Sequence, residues 1–154
     1  MTACVKCGHD PDAPVAASWT FVLEHEALSM NARVVNVGAA RWRYAKERDA
    51  WTWLVRAAKL RHRITPATGR RRITLTRIYA RGQRELDPDN LKGGTKSLVD
   101  AIKREGLLVD DTREWLELHH AQEPGTERAV RVLLEELAAD AALATAQPKN
   151  TRRP

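Results

Sequence analysis

Alternating apolar and polar positions predict two well-defined strands in this chain. Residues 18–24 place Trp19, Phe21 and Leu23 on one side. Residues 72–79 alternate in the same way and are rich in β-branched side chains. Because successive side chains of a strand point to opposite faces, each segment has one face that can be buried in a core.

Two later segments are predicted as strands from weaker patterns. Residues 114–120 are short and alternate only in part, and residues 123–126 have the composition of a hairpin turn. Residues 129–134 then form an apolar run that suits a strand. The following residues also fit helical spacing, so a helix that begins near Glu135 is an alternative.

Helical spacing occurs in two segments. Between residues 46 and 61 the apolar side chains recur every three or four positions, with charged side chains on the other face. A second helix is predicted over residues 95–105, because Thr95 suits an amino-terminal cap and Gly106 suits the carboxyl end. Gly93-Gly94 is assigned to the loop before that helix.

This order of elements predicts an α+β fold (mixed α/β), with a small mixed sheet and two main helices. The 154 residues are enough for one domain and too few for two ordinary ones. Residues 1–16 are expected to be a flexible leader, residues 17–137 the domain, and residues 138–154 a helical or disordered basic tail.

The composition points to a polyanionic partner. The chain has 26 Lys or Arg and 20 Asp or Glu residues, which gives a formal net charge of +6. Arginines are interleaved with Trp42, Tyr44, Trp51 and Trp53, a mixture typical of nucleic-acid surfaces. A solvated helix face above an aromatic core gives the same pattern. No apolar run has the length of a membrane span and no signal-peptide pattern is present, so a cytoplasmic protein without a membrane partner is expected.

The two cysteines form a separate candidate site. Cys4 and Cys7 are a Cys-x-x-Cys pair, followed by His9. The pair is half of a zinc site, with His9 or His25 as further ligands, but no second pair completes it. Three interpretations of this pair stay open: it binds zinc, it has a redox function, or it has neither role in a flexible leader.

The strongest chemical signal is a group of carboxylates in a basic chain. Asp87 and Asp89 flank Pro88, and Asp110-Asp111 follows the second predicted helix. In an extended segment Asp87 and Asp89 would point to the same side, and Pro88 would restrict the backbone between them. Carboxylate oxygens of this kind suit Mg²⁺ or Mn²⁺.

A calcium-binding helix-loop-helix motif is excluded. Its loop would begin at Asp87 and would need an oxygen ligand at the fifth position and glycine at the sixth. Those positions hold Leu91 and Lys92.

Each polar residue of this region also has a structural interpretation. Asp87-Pro88 can start a turn, and Asp110-Asp111 can form a polar turn between a helix and a strand. Asn90 is expected to hold the loop through hydrogen bonds rather than to react. His119 and His120 are adjacent in a predicted strand, so they face opposite ways and cannot both serve one site.

With these elements in place, residues 19–134 resemble the RusA-type Holliday junction resolvases. The similarity rests on an asparagine-bearing loop at residues 29–31, Asp-x-Asp-Asn-Leu at residues 87–91, a lysine at the start of the next helix, and Gly-x-x-x-Asp-Asp at residues 106–111. The combination at this spacing is more specific than any of the motifs alone.

The resemblance implies three metal-binding aspartates that cut phosphodiesters. Matched position by position, they are Asp87, Asp89 and Asp111. The chemistry is consistent with this role, because hydrolysis of a phosphodiester needs cations that neutralise the developing charge and produce hydroxide from water. The implied metal is Mg²⁺, with Mn²⁺ as an alternative.

The resemblance also implies an essential lysine. Counted back from Asp100, that residue is Lys96. Residues 93–95 are an insertion relative to the family pattern, so Lys92 is an alternative. Either ammonium group would stabilise the phosphate or the leaving oxygen as a point charge.

The implied function is a Mg²⁺-dependent endodeoxyribonuclease that resolves four-way DNA junctions by paired symmetric nicks, in recombination and repair. The family works as a homodimer, in a bacterial or phage-infected host cell. DNA contacts are predicted at Asn31, Arg33, Arg41, Arg43, Lys46, Arg70, Arg71, Arg72 and Lys92. Two alternatives stay open: a basic DNA-binding protein that cuts nothing, and a metal-dependent nuclease for other branched DNA.

Overall fold

The computed structural model describes residues 13–27 and 37–138. Cys4, Cys7, Asn31, Arg33 and residues 139–154 lie outside the described residues. The elements are β1 (Val15–Leu23), α1 (Val37–Arg61), β2 (Arg71–Tyr79), α2 (Pro88–Arg104), β3 (Leu116–Pro124) and β4 (Ala129–Leu137). This architecture confirms the predicted α+β fold with a small mixed sheet and two main helices.

The strands form one sheet in the order β1-β4-β2-β3. Strand β4 is antiparallel to both of its neighbours, whereas β2 and β3 are parallel. Parallel strands that follow each other in the chain need a crossover connection, and α2 provides it. The start of α2 therefore lies near the end of β3, and the end of α2 lies near the start of β3.

The core lies between one face of the sheet and the two helices. Phe21 of β1 and Leu75 of β2 both pair with Val132 of β4, and all three side chains are buried. Trp51 of α1 and Leu98 of α2, which are fully buried, belong to the same core cluster. Burial of these apolar surfaces holds both helices on this face. Within the described residues, neither helix is long and apolar enough to cross a membrane.

Several element boundaries differ from the predicted ones. Strand β1 begins at Val15, so the predicted leader is too long at its end. Helix α1 begins at Val37 and is therefore much longer than predicted. Strand β4 continues to Leu137, which makes the alternative helix near Glu135 wrong.

The largest difference is the start of α2. The helix begins at Pro88, with Asp87 as its amino-terminal cap, so the prediction that Thr95 caps it is wrong. Gly93-Gly94 lies inside the helix rather than in a loop, and the Thr95 hydroxyl donates a hydrogen bond to the Leu91 carbonyl (3.2 Å). Burial of one helix face outweighs the cost of two helical glycines, which is about 1 kcal/mol each.

Candidate active-site groove

A groove lies between α2 and the edge strand β3. Two cavities of about 420 and 380 Å³ adjoin here, because Lys92, Leu118 and His120 line both of them. The larger cavity is also lined by Lys96 and Asp111. The two lysine candidates therefore lie in the same groove, one helical turn apart, together with one of the three predicted metal ligands.

A glycine turn brings Asp111 back to α2. Gly106 has a φ of +73°, a conformation that favours glycine, directly after the helix ends. Its N–H donates to the Lys103 carbonyl (2.9 Å), and the N–H of Leu107 donates to the Ile102 carbonyl (3.1 Å). These bonds close the end of α2 and reverse the chain direction. The prediction that Gly106 ends the helix is confirmed.

Lys103 holds the Asp-Asp pair. Its Nζ donates hydrogen bonds to Asp110 and to Oδ1 of Asp111 (2.7 Å). The bonds to Asp110 and then to Asp111 raise the pKa of Lys103, and Lys103 in turn lowers the pKa of Asp110. All three side chains are between 38% and 46% exposed, so the contacts contribute little to stability. Their effect on ionisation is to favour the charged forms of Lys103 and Asp110.

Asp87 has a structural role at the start of α2. Its Oδ1 accepts a hydrogen bond from the backbone N–H of Asn90 (2.9 Å), and its Oδ2 accepts one from the Asn90 side-chain amide. These hydrogen bonds lower the pKa of Asp87. Asn90 thus acts through hydrogen bonds, as its type and position predicted.

Asp89 lies in the first turn of α2 and is exposed. The helix dipole favours a negative charge at that place. Because the chain enters a helix at Pro88, Asp87 and Asp89 are not in an extended segment, and the predicted reason for their convergence is wrong. Pro88 lines the smaller cavity, whereas Asp87 and Asp89 are not among the described residues that line either cavity.

The segment before the motif is fixed to β3 by Gln122. The Gln122 side chain accepts a hydrogen bond from the Leu86 N–H (2.9 Å) and donates one to the Leu86 carbonyl (2.7 Å). This pair of bonds imitates a strand pairing and holds the residue directly before Asp87 against the end of β3. The start of α2 is therefore anchored beside the groove.

His120 lies in the groove and is only partly accessible. Its Nε2 is 2.8 Å from the Thr95 hydroxyl of α2. Burial lowers the pKa of His120, and the positive charge of Lys92 and the neighbouring His119 lower it further. His119 points to the opposite face, where its Nε2 is 2.8 Å from Glu117. The two side chains have different partners, as the prediction that they face opposite ways implies, but both residues line the smaller cavity.

His120 gives the fold a predictable response to acid. A histidine with a lowered folded pKa takes up a proton more readily in the unfolded state, so stability falls as the pH drops below about 6.5. We expect that His120→Gln, which keeps a polar partner for Thr95, reduces the loss of thermal stability between neutral and mildly acidic pH. His62→Gln, at an exposed histidine, should leave that loss unchanged. Parallel melting curves check this, and equal pH dependence in all three proteins would contradict it.

The arginine run at the start of β2 is mostly buried. Arg71 is fully buried, with its guanidinium donating to the Thr65 carbonyl (2.9 Å) and to Glu136 (2.6 Å). Arg72 is on the other face of the sheet, paired with Glu117 (2.8 Å), its neighbour in register on β3. Neither guanidinium is available to a phosphate, so the prediction that Arg71 and Arg72 contact DNA is corrected.

The other predicted DNA contacts differ in accessibility. Arg41, Arg43 and Lys46 are exposed on α1, and Lys92 is exposed on α2. Arg70 is half-buried and lies 4.0 Å from Glu117. Among the predicted DNA contacts that the structure describes, the exposed ones therefore lie on the two helices rather than on β2.

Asp100 is a groove residue that the sequence did not single out as part of the site. It lines the larger cavity and accepts a hydrogen bond from the hydroxyl of Tyr44 on α1. Its spacing of four residues from Lys96 was the available signal, because such residues share a helix face. The contact with Tyr44 places α1 along one side of the groove.

The candidate metal ligands have the right chemistry but are not assembled. Asp87, Asp89 and Asp111 are exposed carboxylates, the donor type that Mg²⁺ prefers. Among the residues of 13–27 and 37–138, no three His, Cys, Asp or Glu side chains are grouped so that they could hold one ion. Asp87 already accepts hydrogen bonds from Asn90, and Asp111 accepts one from Lys103, so a metal ion would use the remaining lone pairs of these carboxylates.

Comparison with known proteins adds no family assignment, and the resemblance to RusA-type resolvases stays a prediction. The chain matches no model of a known protein family, and a search of curated proteins likewise finds no match.

Proposed function

We propose that the protein is a metal-dependent endodeoxyribonuclease that nicks four-way DNA junctions. The observation that carries the proposal is the groove between α2 and β3. It joins Lys92 and Lys96 with Asp111, although the Asp-Asp motif comes after the end of α2. Two ammonium groups in an accessible groove can bind a phosphate, and the carboxylate beside them can contribute a ligand to a metal ion.

Asp87, Asp89 and Asp111 are the residues that would hold Mg²⁺. Bound there, Mg²⁺ would supply positive charge for the phosphodiester oxygens and would make water a stronger acid. Lys103 donates a hydrogen bond to Asp111 and holds this carboxylate beside the end of α2. The hydrogen bonds from Asn90 lower the pKa of Asp87 and so favour its ionised form.

Lys96 and Lys92 bind the scissile phosphate in this proposal. Both side chains are exposed, and their spacing of four residues puts them on the same face of α2. Lys92 lines both cavities, which supports a role in holding the DNA backbone along the groove. Lys96 lines only the cavity that contains Asp111, which makes it the better candidate for the leaving oxygen.

Junction resolution requires two incisions, and each chain has one such groove within its described residues. A homodimer with two-fold symmetry supplies two sites in matching orientations. We therefore include a homodimer in the proposal, with the two grooves facing strands of the same polarity in the junction.

Junction binding is expected to weaken with salt, although less steeply than a fully exposed arginine run would cause. With Arg71 and Arg72 buried, we expect about four phosphate contacts and a log-log slope of about −3.6. Affinity measured without divalent metal between about 50 and 200 mM salt checks this. Lys96→Gln should make the slope shallower by about 0.9, and a flat dependence in the wild type would contradict a DNA-binding surface.

One observation favours a second candidate function, a basic DNA-binding protein that cuts nothing. Asp87 caps a helix, and Asp110 and Asp111 pair with Lys103, so these carboxylates have roles without a metal. In this alternative the exposed lysines bind the DNA backbone and no hydrolysis follows.

A substrate comparison tests the proposed specificity. A four-way junction, a fork and a linear duplex built from the same strands are incubated with the protein and Mg²⁺. We expect the junction to be cut fastest, with nicks at symmetric positions on two strands. Faster cutting of the fork would favour a nuclease for other branched DNA.

A further inference from the structure

We propose that the outer face of α1 binds unpaired nucleobases of a DNA strand by stacking. The inference rests on the proposed function only in taking DNA as the partner, because this face is separate from the α2–β3 groove. The site is an aromatic-cation stripe formed by Trp42, Lys46, Trp53, Arg56 and Leu60.

Helical spacing places these five residues on one side of α1. With 3.6 residues per turn, Trp42, Trp53 and Leu60 project in nearly the same direction. The stripe from Trp42 to Leu60 is about 27 Å long, at 1.5 Å per residue. It is long enough for several consecutive nucleotides of an extended strand.

The apolar side chains of the stripe are unusually exposed. Trp42 is 67% exposed, Trp53 is 69% exposed and Leu60 is 74% exposed. Trp51, two residues before Trp53 in the chain, is fully buried in the core. Side chains of this size that share an exposed helix face are typical of a binding surface.

A cation accompanies each exposed indole. Lys46 Nζ lies 5.4 Å from the ring centroid of Trp42, and Arg56 Cζ lies 5.2 Å from that of Trp53. The Arg56 guanidinium donates hydrogen bonds from Nη2 (2.9 Å) and Nε (3.2 Å) to the carboxylate of Glu105, the residue that follows α2. A base stacked on Trp42 has the Lys46 ammonium nearby for its phosphate, whereas Glu105 partly compensates the charge of Arg56 beside Trp53. Single-strand binding sites combine aromatic platforms and cations in this way.

The charge of α1 favours a nucleic acid over a second copy of the chain. Helix α1 carries seven Lys or Arg and two Asp or Glu residues, a net charge of +5. A symmetric contact between two such helices would bring equal positive charges together. A DNA strand would instead neutralise that charge and release counterions.

Another side of α1 lies next to the groove. Arg48 of α1 shares a surface depression with Asp100 and Lys103 of α2, and Asp100 belongs to the groove as well. A strand bound in the groove can therefore continue onto α1. Strands near the centre of a branched substrate lose base pairs more easily than a continuous duplex, so such a strand would offer bases for stacking.

Binding of a dye-labelled oligo-dT and of a duplex, both measured without divalent metal, tests the inference. Trp53→Leu keeps apolar bulk but removes the aromatic face, whereas Trp53→Phe keeps a face for stacking. We expect Trp53→Leu to weaken oligo-dT binding by roughly 5- to 150-fold, the cost of one lost base stack. Trp53→Phe should retain most of the affinity, and duplex binding should change little in either variant. Val22→Ala, at an exposed apolar residue of β1, serves as the control and should bind like the wild type.

The outcomes separate this inference from the proposed function. If the wild type binds both DNAs but Trp53→Leu binds oligo-dT equally well, the stacking site is wrong and the nuclease proposal stands. If Trp53→Leu instead turns a dimer into a monomer in sedimentation with oligo-dT binding unchanged, the stripe is a protein interface. If the wild type binds neither DNA, both proposals fail.

Discussion

Replacing Asp89 or Asp111 with asparagine is expected to slow junction cleavage by at least ~100-fold. Asparagine keeps the size of the side chain and its ability to form hydrogen bonds, but removes one negative charge from the proposed metal site. A lost ligand removes both the charge that stabilises the transition state and the source of hydroxide. Single-turnover cleavage of a labelled junction in Mg²⁺ measures the effect.

Affinity and a charge-matched control complete this test. Junction binding without Mg²⁺ should stay equal or improve in both variants, because a carboxylate repels a phosphate when no cation lies between them. Asp49→Asn removes one charge from an exposed aspartate that pairs with Arg104, and it should cleave like the wild type. Near-normal cleavage by either Asp89→Asn or Asp111→Asn would mean that these aspartates are not catalytic.

Substitutions of Asp87 separate its two proposed roles. Asparagine caps helices as well as aspartate does, whereas alanine does not. We expect Asp87→Asn to melt close to the wild-type temperature and Asp87→Ala to melt a few degrees lower. If Asp87 also binds metal, both variants should lose at least ~100-fold in cleavage rate.

The contrast between the two Asp87 variants is the informative result. A residue that only caps α2 would be replaced successfully by asparagine, with cleavage retained. Melting curves by circular dichroism and single-turnover rates on the same preparations provide the measurement. Full activity of Asp87→Asn together with a normal melt would remove Asp87 from the metal site and leave it a structural residue.

The strands were predictable because their signal is local. The alternation in residues 72–79 identified β2, and the same alternation places Arg71 and Arg72 on opposite faces. Their partners could not be predicted. Glu117 and Glu136 belong to β3 and β4, and only the strand order β4-β2-β3 brings them beside β2. A cluster of arginines in sequence therefore resembled a DNA-binding surface although two of its members are buried.

The start of α2 could have been predicted from the sequence, although the prediction placed it at Thr95. Asp87 followed by Pro88 and by Asp89 in the first turn is a helix-start pattern. The glycines at 93 and 94 outweighed it, because isolated glycine is unfavourable in helices. In the folded chain the buried face of α2, which includes Leu98, compensates for that preference. The low helix propensity of the two glycines is therefore outweighed by the packing of α2, which the sequence does not show directly.

The candidate site depended on contacts between distant segments. The motif at residues 87–91 and Asp111 were identified from their residue types and spacing. Lys103 pairs with Asp111 because the chain reverses its direction at Gly106. Asp100 contacts Tyr44 because α1 packs on α2. Such contacts arise only after the elements have been assembled.

The most direct test of the central claim is cleavage of a four-way junction by the wild-type protein with and without Mg²⁺. Labelled junctions with four arms of equal length are incubated with the protein in Mg²⁺, in Mn²⁺ or in a chelator. Binding of the protein to the junction is measured in parallel. We expect binding under all three conditions and paired symmetric nicks only when a divalent metal is present. Stable junction binding with no nicks in either metal would contradict it, and would identify the chain as a DNA-binding protein that does not cut.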